Sequence, residues 1–222
     1  MRREYAQEPP IVSVVQLNSA ECEIILRENV TTETREGGDM GPEAGQITVY
    51  LADEYTIIVP WREGLEEAVK ANISEWLTIA RKREVDELLP GKLAEITAAC
   101  HAAIVNGCTV TVTGGSIEHF SLEETDQINL NAAYSAVEQG ADGYPYHADG
   151  QLCRIYPAAD INAIATAATA HKLYHTTYCN HLLMWARRAT SADELTTIFY
   201  GATLPEDLAT NMAQVIADAS GN

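Results

Sequence analysis

His171, His175 and Cys179 follow one another at intervals of four residues, so on a helix their side chains stack along a single face. Two helical imidazoles at that interval can chelate a divalent metal, and zinc accepts a thiolate beside imidazole. A further ligand would have to come from His119, His147, Cys153 or His181 through folding. The H-E-x-x-H pattern of a zinc protease is absent. The competing reading makes these histidines core members bonded to hydroxyls or backbone carbonyls, because a buried imidazole needs a polar partner. The missing partner motif favours that reading.

Tyr146-His147-x-Asp149-Gly150 is a second set. A histidine and a carboxylate two residues apart in a loop can act as an acid/base pair, with the tyrosine as a further donor. The bland alternative is a chain reversal at Asp149-Gly150 with His147 packed on an aromatic neighbour. No serine stands in a G-x-S-x-G elbow, and the contexts of Cys108 and Cys153 do not mark a nucleophile. Gly37-Gly38-x-x-Gly41 lacks the lysine and helix of a phosphate cradle, and Gly114-Gly115 reads as a hairpin turn. No catalytic or cofactor-binding residue is therefore assigned, His171, His175 and Cys179 stay as the metal candidates, and no cofactor is expected.

The element that must hold the first set is the longest run that reads as one helix with one continuous buried stripe. Ile161, Ile164, Ala168, His171, His175, Tyr178, Leu182, Trp185 and Ala189 recur at steps of three and four, which predicts one buried stripe on a helix from Pro157 to Ala189. Upstream, Ile11 to Leu17, Cys22 to Leu26, Ile47 to Leu51 and Tyr55 to Val59 read as short strands, with a turn at Asp53-Glu54 and a glycine-rich loop over Glu36 to Gly45. Leu65, Val69, Ile73, Trp76 and Ala80 then mark an amphipathic helix that Pro90-Gly91 ends, and Leu93 to Ile104 forms another that Asn106-Gly107 ends.

Cys108 to Phe120 reads as a hairpin, Gln151 to Tyr156 as one further strand, and Leu208 to Ile216 as the face of a last helix. Ser121-x-x-Glu124 and Ser191-x-x-Glu194 have the form of capping boxes. The expected class is α+β, a small N-terminal antiparallel sheet followed by a mainly helical domain with an inserted hairpin and one extra strand. Its parts are residues 1–60 for attachment and oligomerisation, 61–90 as a connecting helix, and 91–222 as the helical domain with its hairpin at 108–120.

A net charge of −18 repels a phosphate backbone, so nucleic-acid binding is not expected. The one basic triplet, Arg81-Lys82-Arg83, reads as a solvated or ion-paired helix face. Strong acidity suits a crowded assembly kept soluble by charge, or a mimic of nucleic acid. The N-terminus lacks a signal-like apolar run, no stretch approaches the length of about 18 apolar residues that a membrane span needs, and the five scattered cysteines read as reduced and mostly buried thiols of a cytoplasmic product.

Val112 to Gly201 carries an order of elements with a resemblance of its own. A Gly-Gly strand precedes His119-Phe120-Ser121-Leu122-Glu123-Glu124-Thr125-Asp126-Gln127-Ile128-Asn129-Leu130, then Tyr146-His147-Ala148-Asp149-Gly150, a helix with His171 and Thr177-Tyr178-Cys179-Asn180, Ile198-Phe199-Tyr200-Gly201 and Leu204-Pro205. This order resembles a domain of unknown function that recurs in tail-fibre and baseplate-associated proteins of tailed phages and prophages. The resemblance implies a structural, non-enzymatic component of the tail tip, baseplate or fibre base. It would be made in the bacterial cytoplasm and incorporated in the virion, with other tail proteins and copies of itself as partners and no membrane. The alternatives are a metal-dependent or hydrolytic phage enzyme using His171/His175/Cys179 or His147/Asp149, and an acidic nucleic-acid mimic or tail assembly factor.

Overall fold

β-branched and aromatic residues crowd the N-terminal part of the chain, and they form an antiparallel sheet in the computed structural model, which describes residues 2–36 and 46–221. Its strands β1 (Arg2–Tyr5), β2 (Val12–Gln16), β3 (Glu21–Glu36) and β4 (Gln46–Pro60) stand in the order β1-β4-β3-β2. The expected class is therefore the one adopted, a small N-terminal antiparallel sheet followed by a mainly helical part. The turn expected at Asp53-Glu54 is absent. β4 runs straight through it, placing Asp53 opposite Arg2 and Glu54 opposite Arg27. Opposite charges on facing strands stabilise what the isolated segment would favour as a turn. The loop expected over residues 36–45 falls, from residue 37 on, outside the described residues.

Arg27 ties the sheet together. Its buried guanidinium donates to Tyr5 on β1 at 2.9 Å, to Ser13 on β2 at 3.0 Å, to Glu54 on β4 at 2.9 Å and to the Pro10 carbonyl at 2.9 Å. Every strand thus contributes to solvating one buried charge, which is the condition under which such a charge is tolerated. Alternation along β3 turns Cys22, Ile24 and Leu26 to one face, where Val12 and Ile57 join them. Helix α1 (Leu65–Ala71) covers that face with Leu65 and Val69, and helix α2 (Ile73–Asn106) adds Trp76 and Ala80.

The connecting helix expected over 61–90 is thus two helices, parted at Asn72, and the second does not stop at Pro90. A proline inside a helix removes one hydrogen bond and crowds the preceding turn, at about 3 kcal/mol. Leu88, Leu89, Lys92, Leu93, Ala94 and Glu95 around it are strong helix formers, and the helix carries on. The basic triplet is ion-paired or capped as expected: Arg81 with Glu28, Lys82 with Asp86 at 2.8 Å, and Arg83 on the Ile58 carbonyl at 3.0 Å. By length and apolarity alone α2 would suffice to cross a bilayer, contrary to the expectation that no stretch does. The helix reaches that apolarity through leucine- and alanine-rich turns interrupted by Lys92 and Glu95, not through one unbroken apolar run.

The chain divides into two compact units within α2. One runs to Leu88 and takes in Thr190–Ala192; the other holds Leu89–Ala189 and the chain from Asp193 on. The second unit contains β5 (Cys108–Thr111), β6 (Ile117–Phe120), α3 (Glu124–Glu138), β7 (Gly143–Tyr146), β8 (Arg154–Pro157), α4 (Ala158–Arg188), all but the first residue of α5 (Ala192–Thr197), and α6 (Glu206–Ala219). The hairpin at 108–120 forms as expected. The single extra strand becomes a pair, because residues 143–146 align with 154–157. Gly107 stops α2 at φ 83°, and a Cβ there would lie 1.9 Å from the Phe120 carbonyl oxygen. Both the dihedral and the space require glycine.

The Ser121-x-x-Glu124 box does not form. Helix α3 starts at Glu124 without a side-chain cap, and the Ser121 hydroxyl donates to Asp126 at 2.6 Å instead. Helix α5 does begin directly after Ser191. The organising helix α4 packs on α3, α6 and strands β5, β7 and β8. Its expected stripe is buried at Ile161, Ile164, Ala168, Tyr178, Leu182 and Ala189 and half-buried at His171, His175 and Trp185, with Ala186 buried beside the last. Each fully buried Ile or Leu there contributes roughly 1.5–3 kcal/mol. Asp160 in the first turn accepts from both the amide and the hydroxyl of Thr113, at 2.8 Å each, and so fastens the helix to the hairpin.

Candidate functional site

The run from Ala158 to Arg188 is rich in alanine and free of proline and glycine, so it holds one helix long enough to line up residues 171, 175 and 179. Their environments differ. His171 donates from Nε2 to the Ala103 carbonyl at 2.9 Å. His175 meets the Tyr200 hydroxyl through Nδ1, and its ring lies 4.2 Å from that of His171, nearly edge-on. Burial, and secondarily His171, holds the His175 imidazole below its ordinary value of 6.5. A lowered value favours the neutral ring, which keeps one nitrogen as an acceptor.

Cys179 is bonded to Cys100 of α2. That corrects two expectations, reduced cysteines and a thiolate beside the two imidazoles. The pair is separated by 79 residues, yet α2 and α4 bring the two Cα atoms to 6.0 Å, within the range a disulfide spans. The remaining thiols are Cys22, buried, Cys108, half-buried and pushed up by that burial, and Cys153, exposed. Among the described residues no group of three or more His, Cys, Asp or Glu side chains is arranged to hold a metal. His181, a possible fourth ligand, is buried and bonded at both ring nitrogens, to the Thr177 carbonyl at 2.7 Å and Asn211 Oδ1 at 2.9 Å.

The same face of α4 borders a cleft of about 620 Å³ whose walls include Tyr174, His175, Tyr178, Tyr200, Met212 and Ile216. Tyr178 is anchored across it, donating to the Ala202 carbonyl at 2.5 Å and accepting from the Gly201 amide at 3.0 Å. Neutral histidine, tyrosine and aliphatic walls suit an apolar side chain better than an ion.

The second set is rearranged. Asp149 pairs with His119, not with His147: Asp149 Oδ2 lies 2.7 Å from His119 Nδ1, and Oδ1 accepts from the Ser121 amide at 3.0 Å. Burial pushes the Asp149 carboxyl up, but these hydrogen bonds outweigh it and hold the group below its ordinary value. His147 stacks on Tyr146, with ring centroids 5.8 Å apart. A carboxylate that anchors Nδ1 leaves Nε2 of His119 as a surface base. Ser121, which could have served as its nucleophile, has its hydroxyl committed to Asp126. Nearby, Glu118 is buried and accepts from Tyr156 at 2.6 Å and Arg154 at 2.5 Å, joining β6 to β8. Those bonds hold its carboxyl below the usual range in spite of burial.

Sequence reasoning missed Tyr200 and Cys100 as partners of the α4 face and His119 as partner of Asp149. The signal for Cys100 was present: it falls on the apolar stripe Ile96, Cys100, Ala103 of its own helix, as Cys179 adjoins Tyr178 on the other. His119 and Asp149 meet only through a loop closure.

The N-terminal unit offers a different kind of site, its two outer strands. β1 is charged, with Arg2 on Asp53 at 3.4 Å, Arg3 on Glu54 at 2.8 Å and Glu4 on Arg35 at 2.8 Å. β2 carries no charge, and Ile11, Val15 and Leu17 in and beside it are 55%, 45% and 48% exposed.

Residues 87–199, just over half of the chain, match the family described as Domain of unknown function (DUF4376). The chain belongs to this family. The DUF4376 region begins inside α2 and takes in β5 to β8 with α3 to α5, so the resemblance drawn over Val112 to Gly201 holds at the level of a domain of unknown function. The N-terminal sheet lies outside the match. No curated protein and no solved structure matches the chain.

Proposed function

We propose that the protein is a structural subunit of a tailed-phage or prophage-derived tail, in the tail tip, baseplate or fibre base, which acts through protein–protein assembly and not catalysis. The observation that carries the reading is the N-terminal sheet, with an uncharged outer strand and exposed apolar residues along it. Open strands of this kind are templates for pairing with another chain. The resemblance of the DUF4376 region to tail-associated domains supplies the setting, and the sheet's position outside the matched residues fits an attachment role. In the other unit the candidate ligands His171, His175 and His181 are bonded to a carbonyl, a tyrosine and an asparagine, which suits a structural part. The Cys100–Cys179 bond fits a chain made in a reducing cytoplasm whose thiols close once the particle is outside the cell.

Quantitative mass spectrometry of tail particles purified from the strain that encodes the protein tests this. The chain should appear at a constant ratio to the other tail proteins, and a chain lacking residues 1–60 should be lost from the particles. A protein found only in the particle-free fraction would overturn the reading.

A further inference from the structure

The outer strand β2 shows which partner its edge would take. Hydrogen bonds to β3 fix its alternation: the Ile11 carbonyl accepts from the Arg27 amide at 2.8 Å, and the Leu17 amide donates to Glu21 at 3.0 Å. With Val14 opposite Ile24 between them, Ile11, Ser13, Val15 and Leu17 face β3. Val12, Val14 and Gln16 turn their N–H and C=O groups to the open side. Along that side runs an apolar groove of about 630 Å³ lined by Ile11, Val12, Val14 and Ile73, with Glu66 and Lys70 at its rim.

We propose that a second copy of this chain occupies the edge, its β2 lying antiparallel to the first about a two-fold axis at Val14. This rests on the assembly reading above and names its partner. Charge selects the occupant. From Pro9 to Ala20 the chain has no charged residue, whereas its net charge is −18, so copies repel one another except where this neutral stretch lets them approach. The charged β1 edge has no such stretch. The pairing is self-complementary: Val14 meets its own counterpart and Val12 meets Gln16, giving about six inter-strand hydrogen bonds. Each copy's Val12 and Val14 side chains extend the apolar layer into the other's groove. Glu66 and Lys70, joined at 2.6 Å, bring both signs to the rim, so a two-fold axis can set each opposite the other's opposite.

Sedimentation velocity of the full chain, with no partner added and from about 1 to about 100 µM, tests the pairing. The wild type should form a dimer within this range. Val14→Pro removes an N–H that β3 does not use, so it should keep the circular dichroism of the wild type and weaken the dimer about a hundred-fold. Val15→Lys places a charge on the exposed edge beside Glu23, leaves every amide in place, and should weaken the dimer as well. A monomer throughout, a dimer that both variants leave intact, or a ladder of larger masses from β1-to-β2 chaining would overturn the two-fold pairing. The tail-subunit reading would survive all three, since it fails only if the protein is missing from particles.

Discussion

In the N-terminal unit β3 and β4 run for 16 and 15 residues, whereas every strand of the C-terminal unit has four. The long strands share the hydrogen bonds of Arg27 and its ion pair with Glu54, and their sheet keeps two outer edges. Of the short ones, β5, β7 and β8 lie against α4, which is itself bonded to α2 through Cys100–Cys179. A unit that spends its polar groups on internal partners has little left to offer another molecule. A unit with an outer strand still has backbone donors and acceptors to share. The difference fits the proposal that the sheet is the assembly surface, although the residues with the most chemical promise all lie in the other unit.

Removing the disulfide should produce the largest effect. Cys100→Ser with Cys179→Ser should lower the stability of the C-terminal unit by about 3 to 4 kcal/mol, since the bond closes a long loop. Urea unfolding combined with amide hydrogen exchange should place the loss in residues 89–189 and spare the sheet. Loss spread evenly over both units would erase the contrast. Arg27→Ala is the converse. It strips Glu54 and Tyr5 of a buried partner and should cost about 3 kcal/mol, with exchange rising in β1 to β4 alone.

Smaller effects sharpen the contrast further. Tyr200→Phe removes the hydroxyl that His175 Nδ1 meets and should cost about 1 kcal/mol in the C-terminal unit. The pH dependence has a definite sign. His175 binds its proton less readily when folded than at its ordinary value of 6.5, so the unfolded chain takes up the proton first as pH falls. The stabilising contribution is complete above that value and is lost on acidification towards the lower folded one. His175→Gln should flatten this slope in denaturation curves taken between about pH 5 and 7. Smallest of all, Val14→Pro should change the stability of the isolated chain by less than about 1 kcal/mol, because an outer strand tolerates a proline whose amide faces away from the ladder. A large loss would mean that the Val14 amide is used within the sheet.

Periodicity carried much of the fold. The three- and four-residue steps of α4, the alternation of Cys22, Ile24 and Leu26, and the positive φ of Gly107 are local consequences of side-chain spacing and backbone sterics, and the sequence displays them directly. Asp53-Glu54 and Pro90-Gly91 misled for a common reason. Each pair is a turn or a stop when weighed alone, but Arg2, Arg3 and Arg27 surround the first, and strong helix formers flank the second. The candidate sites were less legible still. Spacing places His171, His175 and Cys179 on one face, and it says nothing of Ala103, Tyr200 and Cys100 opposite them.

The sequence by itself determined the class of fold, the long helix with its buried stripe, the hairpin at 108–120 and the neutral run from Pro9 to Ala20, because each depends on residues within a few positions of one another. Only the tertiary structure decided what the polar groups do. It joined Cys100 to Cys179 across 79 residues, gave Asp149 to His119 instead of His147 and placed β2 at the edge of its sheet. Each of these is a meeting of distant segments, set by how helices and strands pack and not by the intervals between residues along the chain.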